Sequence, residues 1–262
     1  MKRPKSLQQL AAHVRRRLAP PDPLKLLRRN TLAVRDLAAL KHAMNWTLDP
    51  YLDAPHLHQF QGLEDLNGRP LRDAQVIYTA ARNANASTIL EIGTAFGHTT
   101  AQLARHAPAA TVYTVNIPPE EIAQGGKTIT YALSREQIGR EYRNANCHNV
   151  QQILANTATW QPDVGEIDIA FIDGCHDTEF VYNDTRKVLE HARPGALILW
   201  HDFSLTAMHN FPWIKNVCLA VEQLYAEKRL VGPIFHLADS WVGLYRVPGH
   251  AAANTRNHAA AA

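Results

Sequence analysis

The sequence predicts an α/β fold: a doubly wound, mostly parallel seven-stranded sheet with a C-terminal antiparallel strand, preceded by an N-terminal helical arm. Three observations predict it. The run Thr88-Ile-Leu-Glu-Ile92 is followed by Gly93 and Gly97, and then by a helical pattern through Ala101, Leu103 and Ala104. That is a strand, a tight turn and a helix start. Downstream, short apolar runs alternate with amphipathic stretches, which implies crossover connections and parallel pairing. Finally, the last two apolar runs, Ile234–Leu237 and Val242–Val247, have only Ala238-Asp-Ser-Trp241 between them. Four residues cannot make a parallel crossover, so those two strands must pair antiparallel.

The elements follow in order. Leu7, Leu10, Ala11, Val14 and Leu18 recur at helical spacing, so Ser6 to Leu18 reads as an amphipathic helix that Ala19-Pro-Pro-Asp-Pro23 ends. A second helix is expected over Leu32 to Met44, and residues 45 to 70 look irregular. Leu71 to Asn83 is helical, with Ala74, Ile77, Ala80 and Ala81 on one side. After the first strand come a helix from His98 to Ala107, a strand from Thr111 to Val115 and an irregular insertion over 117–130. Ser134 to Arg143 is expected to be helical, with Ser134 as N-cap and Gln137 three residues on. Strands at Val150–Leu154 and Ile167–Ile172, a helix at Thr178–Glu190, a turn at Arg193-Pro-Gly195, a strand at Ala196–Trp200 and a helix at Ile214–Lys228 complete the alternation. The unbroken run Ile169-Ala-Phe-Ile172 fits a central parallel strand, buried on both faces. Three segments are expected: an arm and irregular cover (1–70), a catalytic domain (71–248) and a low-complexity, disordered tail (249–262).

Composition narrows the function. The chain has 262 residues, 46% of them hydrophobic, enough for a sizeable core. A formal net charge of +3 is too mild to mark a nucleic-acid binder. Cys147, Cys175 and Cys218 show no paired or metal-type spacing, which fits a reduced, cytoplasmic location. No apolar run approaches the ~18 residues of a membrane span, and the N-terminus has no apolar signal core. The first ~45 residues are rich in Lys and Arg. That arm is open to four readings: a solvated basic face, packing on a second subunit in a homo-oligomer, a lid over a small-molecule substrate, or contact with an anionic surface, with helix packing favoured over membrane contact because the apolar stripe is short.

The turn at Gly93 is not a phosphate loop, because no Gly-Lys-Ser/Thr follows it. It is not Gly-x-Gly-x-x-Gly either, since Ala95 and His98 occupy the places of those glycines. A ligand without phosphates suits it better. The pattern Glu91-x-Gly93-x-x-x-Gly97 resembles the first motif of class I S-adenosylmethionine (SAM)-dependent methyltransferases. Ile167-Asp-Ile-Ala-Phe-Ile-Asp-Gly-Cys-His-Asp177 and Arg193-Pro-Gly-Ala-Leu-Ile-Leu-Trp-His-Asp202 resemble a bacterial branch of small-molecule O-methyltransferases, as do Thr114-Val-Asn-Ile-Pro-Pro119 and Ile138-Gly-Arg140. The likeness runs from about Leu71 to Val247.

The resemblance implies a SAM site built from Glu91, Gly93, Thr94, Ala95, Phe96, Gly97 and Thr99, with Asn116, Asn156, Thr157 and Asp173 completing it. The family usually has acids where this chain has Asn116 and Asn156; an amide still accepts a hydrogen bond but carries no charge. It also implies a catalytic group of His176, Asp173 and Asp202, with His176 as general base. Asp173 and Asp202, together with His201, are implied ligands for Mg²⁺, which prefers oxygen donors. The expected activity is methyl transfer to a hydroxyl of a small molecule, a sugar or specialised metabolite. A competing reading is a non-catalytic, repurposed member that binds a nucleoside-like ligand or a partner chain, motivated by the two asparagines. Trp213, Trp241, His236 and Phe203 are candidates to line an acceptor pocket, and Trp46, Tyr51 and His56 to His58 to cover it.

Overall fold

The computed structural model describes residues 22–52, 68–129 and 131–249. The expected arm helix at Ser6–Leu18, its homo-oligomer contact, His56 to His58 and most of the expected tail lie outside the described residues.

One mixed sheet of eight strands organises the described residues. In chain order the elements are α1 (Lys25–Asn30), β1 (Thr31–Val34), α2 (Leu37–Met44), α3 (Arg69–Asn83), β2 (Thr88–Ile92), α4 (His98–His106), β3 (Thr111–Asn116), a 3₁₀ turn (Pro119–Gln124), α5 (Arg140–Asn144), β4 (Val150–Leu154), β5 (Ile167–Ile172), α6 (Thr178–His191), β6 (Ala192–Trp200), a second 3₁₀ turn (Ala207–His209), α7 (Pro212–Ala226), β7 (Ile234–Leu237) and β8 (Gly243–Arg246). The spatial order is β1-β7-β8-β6-β5-β2-β3-β4, parallel except where β8 runs against β6 and β7. This is the expected doubly wound architecture, with one strand more.

The extra strand is β1, where a helix from Leu32 was expected. Thr31-Leu-Ala-Val34 pairs in parallel with Ile234–Leu237, a role its β-branched ends favour. The helix starts later because Asp36 is its N-cap: the carboxylate accepts the Ala39 N–H at 2.8 Å. The expected helix at Ser134–Arg143 shrinks to Arg140–Asn144. Ser134 and Gln137 do form half of a capping box, the Ser134 N–H donating to the Gln137 side chain. Gly139 then takes a left-handed φ of 71° and breaks the run. The expected turn at Arg193–Gly195 is instead the irregular start of β6, whose pairing with β5 shifts register between Ile167 and Ile169.

Both faces of the sheet are covered. Leu90, Ile92, Ile198 and Trp200 point into one core, with Leu27, Val188, Ile214, Val217 and Leu224 from α1, α6 and α7. Ile89, Leu197 and Leu199 point into the other, with Leu40, Ala74, Ile77, Tyr78 and Leu103 from α2, α3 and α4. Alternate side chains of each strand feed opposite cores, as the pleat requires. Segments N-terminal to residue 71 take part: the backbone N–H groups of Leu26 and Leu27 donate to the Glu222 carboxylate of α7 at 3.1 and 2.6 Å.

Register matters most for function. Ile92 lies opposite Val115 and Ile172, and Ile172 opposite Trp200. β2, β5 and β6 therefore end at one level and β3 one residue beyond it, which brings Gly93, Asn116, Asp173 and His201 to one edge. No helix among the described residues is long and apolar enough to cross a membrane.

Leu27 is fully buried against α7. Leu27→Ala should cost about 2–5 kcal/mol in urea unfolding, since the space cannot fully collapse.

Candidate active site at the carboxyl edge of the sheet

The turn after β2 is built by backbone constraint. Gly93 has φ 106°, and a Cβ there would lie 2.0 Å from the Asp173 carbonyl oxygen. Gly97 has φ 87° and packs on Gly139, whose Cα would lie 2.9 Å from an added Cβ. Segment 139–141 is tied to the turn: the Gly139 N–H donates to the Ala95 carbonyl (2.9 Å) and the Glu141 N–H to that of Phe96 (2.8 Å). Ala95 itself is left-handed, with φ 45°, and its N–H donates to the Asn116 side-chain oxygen at 3.0 Å. Asn156 likewise accepts the Ala158 N–H at 3.0 Å. Both amides brace local backbone while lining the cavity.

That cavity measures about 840 Å³. Gly93, Ala95, Phe96 and Thr99 form one wall, and Asn116, Asn156 and Thr157 the next. Asp173, His176, His201 and Asp202 form the third. Ile117, Ile129, Tyr131, Leu133, Phe180 and Trp213 supply apolar surface. Of the expected cofactor residues, Glu91, Thr94 and Gly97 stand behind this wall rather than on it. Glu91 is fully buried and accepts from the Thr100 and Thr114 hydroxyls, the latter at 2.6 Å. Thr94 shares a 2.7 Å hydrogen bond with Thr114 and accepts from the Gln152 amide at 3.0 Å. Burial pushes the Glu91 carboxyl up to about 8, despite those two hydroxyls, so it is largely neutral at pH 7.

Four titratable groups converge at the ends of β5 and β6. His176 Nε2 lies 2.9 Å from Asp202 Oδ2 and 3.4 Å from Asp173 Oδ1. His201 Nδ1 lies 3.1 Å from Asp173 Oδ1 and 3.7 Å from Asp202 Oδ2. Consecutive strand residues normally point to opposite faces. Asp202 escapes that rule with a left-handed φ of 53°, which brings it to the same cluster as His201. His176 Nε2 and both His201 nitrogens approach the carboxylates without an aligned hydrogen bond. Burial disfavours charge on His176, yet the two aspartates outweigh it and lift its pKa to about 10. His201 is raised for the same reason, and Asp173 and Asp202 are lowered against burial by the imidazoliums. By themselves the four groups balance as two ion pairs.

Carboxylate oxygens and imidazole nitrogens whose ligand atoms all lie within 4.8 Å of one another can hold a divalent cation. The lack of aligned bonds among them fits that use. One contributor lay outside the sequence reading. Asp73 of α3 places Oδ2 3.4 Å from His201 Nε2, while accepting from Arg69, the Ser240 hydroxyl (3.0 Å) and the Trp241 N–H (2.6 Å). Its signal was available: position 73 falls on the apolar side of α3 with Ile77 and Ala80, where an unexplained acid is rare. Of the candidate acceptor-pocket aromatics, Trp213 lines the cavity. Trp241 and Phe203 are buried in a core, and His236 is tied to the Ser240 carbonyl. Of the expected cover, Trp46 is buried in the other core, and Tyr51 packs on His106 at the end of α4.

Residues 90–203 match the sequence model of a family described as a methyltransferase domain. No curated protein matches the chain in sequence. Among solved structures, the chain is similar to the O-methyltransferase NovP, at 14% identity and a TM-score of 0.53, over 66% of this chain and 78% of that one. It is also similar to the O-methyltransferase TomG from Streptomyces achromogenes, solved with SAM, at 17% identity and a TM-score of 0.49, over 95% and 100%. A third is an O-methyltransferase from Bacillus cereus solved with SAH, at 19% identity and a TM-score of 0.45, over 90% and 94%. The chain shares the fold of NovP, and its residues 90–203 match a methyltransferase-domain model.

Gly93→Ala should destabilise the protein by about 1–3 kcal/mol in denaturant titrations, because backbone on both sides has to shift. Glu91 gives a pH test. An acid whose folded pKa is raised contributes stability below its unfolded pKa of about 4.3 and loses it as pH rises through about 8. Glu91→Gln should therefore gain stability relative to wild type between pH 5 and pH 8 in denaturant titrations.

Proposed function

We propose that this methyltransferase-domain protein transfers a methyl group from SAM to a hydroxyl of a small molecule, a sugar or specialised metabolite. The observation that carries the reading is one cavity that joins the Gly93 turn to the Asp173/His176/His201/Asp202 cluster. At about 840 Å³ it sits high in the range of about 300–1,000 Å³ typical of small-molecule sites, which leaves room for donor and acceptor together.

In this reading Gly93, Ala95, Phe96, Thr99, Asn116, Asn156 and Thr157 hold the donor. In this reading the sulfonium methyl faces Asp173 and His176, which line the same cavity. Transfer is an in-line displacement: the S–CH₃ bond breaks as the O–CH₃ bond forms. SAM leaves as its demethylated product, and the hydroxyl proton goes to the His176 imidazole. The chain supplies alignment, a water-poor pocket and a proton acceptor. Apolar Trp213 and Phe180 screen the reacting atoms.

His176 flanked by two unneutralised carboxylates would keep its own proton at pH 7. Asp173, Asp202 and His201 are the residues that would hold a divalent cation. Such an ion, when bound, balances the carboxylates and acidifies the acceptor hydroxyl. With the carboxylates so balanced, His176 would be able to take a proton. A cytoplasmic location belongs to the same reading and is supported by three cysteines that are all free thiols.

Isothermal titration with SAM and with its demethylated product tests the donor site; no binding at millimolar concentration would remove the proposal. His176→Ala should lower turnover of an identified acceptor by about 10²–10⁴-fold, the usual scale of general base catalysis, with SAM affinity unchanged.

A further inference from the structure

We propose that the cation site selects a transition-metal ion of the Mn²⁺–Co²⁺–Zn²⁺ group over Mg²⁺, with Asp73 as the positioning residue that presents His201 as a nitrogen ligand. The inference rests on the reading of Asp173, Asp202 and His201 as cation ligands, and it goes beyond that reading in specifying the ion.

The two nitrogens of His201 face different partners. Nδ1 faces Asp173 Oδ1 at 3.1 Å and Asp202 Oδ2 at 3.7 Å. Nε2 faces Asp73 Oδ2 at 3.4 Å. A carboxylate behind the far nitrogen favours the tautomer with hydrogen on Nε2. The lone pair then sits on Nδ1 and points at the two aspartates. This is the carboxylate–histidine–metal arrangement that orients and strengthens imidazole ligands. Ligand atoms ~2.1 Å from one ion lie ~3.0–3.4 Å from each other, close to the spacings seen here.

Asp73 is not free to turn away. The Ser240 hydroxyl and the Trp241 N–H bind its other oxygen at 3.0 and 2.6 Å, and Arg69, one turn earlier on α3, binds Oδ2. Arg69 in turn lies over the Trp241 ring, 4.5 Å from its centroid. Asp73 is fully buried, and His201 is nine-tenths buried. A rigid acid therefore fixes the imidazole before any ion arrives. Mg²⁺ prefers oxygen donors and gains little from such a nitrogen. Co²⁺, Zn²⁺ and their neighbours bind imidazole well, and affinity for mixed nitrogen and oxygen sites rises along that series.

The test titrates wild-type protein with CoCl₂ and with MgCl₂ by calorimetry, and follows the visible absorption of bound Co²⁺. Co²⁺ should bind at least ~100-fold more tightly than Mg²⁺, with a spectrum that shows nitrogen ligation. Asp73→Asn should weaken Co²⁺ about 10–100-fold, the usual effect of losing a residue behind a ligand, while Mg²⁺ affinity moves far less. Because that change leaves Arg69 without its carboxylate, His201→Asn serves as a second variant and should collapse the Co²⁺ preference with the fold intact by circular dichroism. Equal affinity for the two ions, or a preference that survives His201→Asn, overturns the proposal. So does a protein that binds SAM but neither ion. Selective Co²⁺ binding without SAM binding would uphold this proposal and overturn the methyl-transfer reading.

Discussion

The site depends on a single alignment. β2, β5 and β6 stop at one level, with β3 one residue longer, because Ile92, Val115, Ile172 and Trp200 are register partners across the sheet. Those three strands then leave the hydrogen-bond ladder at the same height. The ladder continues one step into the turns: the Gly93 N–H donates to the Val115 carbonyl, the Asp173 N–H to that of Ile92 and the His201 N–H to that of Ile172, at 2.8 to 3.0 Å. Crowding at that height leaves no room for a side chain at Gly93. A shift of one residue in any of these strands would turn its inward residues outward and carry its functional residue off the edge.

Charge follows from that placement. Two acids and two imidazoles brought together on one buried rim must balance one another, or balance an added ion. The second acid layer behind them divides by surroundings. Glu91 has only two hydroxyl donors and is held neutral by burial. Asp73, with Arg69, a hydroxyl and a backbone N–H around it, has the partners a buried carboxylate needs. Two buried acids behind the same edge thus sit among very different partners.

Much of this was legible in the sequence. The strand–turn–helix at Thr88–His106, the central apolar strand and the antiparallel end of the sheet were all read from periodicity and loop length. Asp173, His176, His201 and Asp202 were grouped because residues at strand ends share an edge. What escaped had a local reason. β1 is only four residues long, and its Leu32 and Ala33 also suit a helix; the Asp36 cap that separates it from α2 was overlooked. The helix at Ser134 had a sound start signal, but Gly139 is needed for close approach to Gly97, and tertiary packing overrode local propensity. Asp73 carries no local signal for which groups it serves, because its partners, at 201, 240 and 241, are remote in sequence.

The left-handed backbone at Asp202 bears on how portable this arrangement is. Adjacent positions on a strand cannot ordinarily serve one pocket, so the His201–Asp202 pair is inseparable from its bend. Grafting the two side chains onto another parallel sheet would aim them at opposite layers. A designer would have to transplant the bend as well, and with it the Phe203 N–H that donates to the Trp241 carbonyl and anchors the loop that follows.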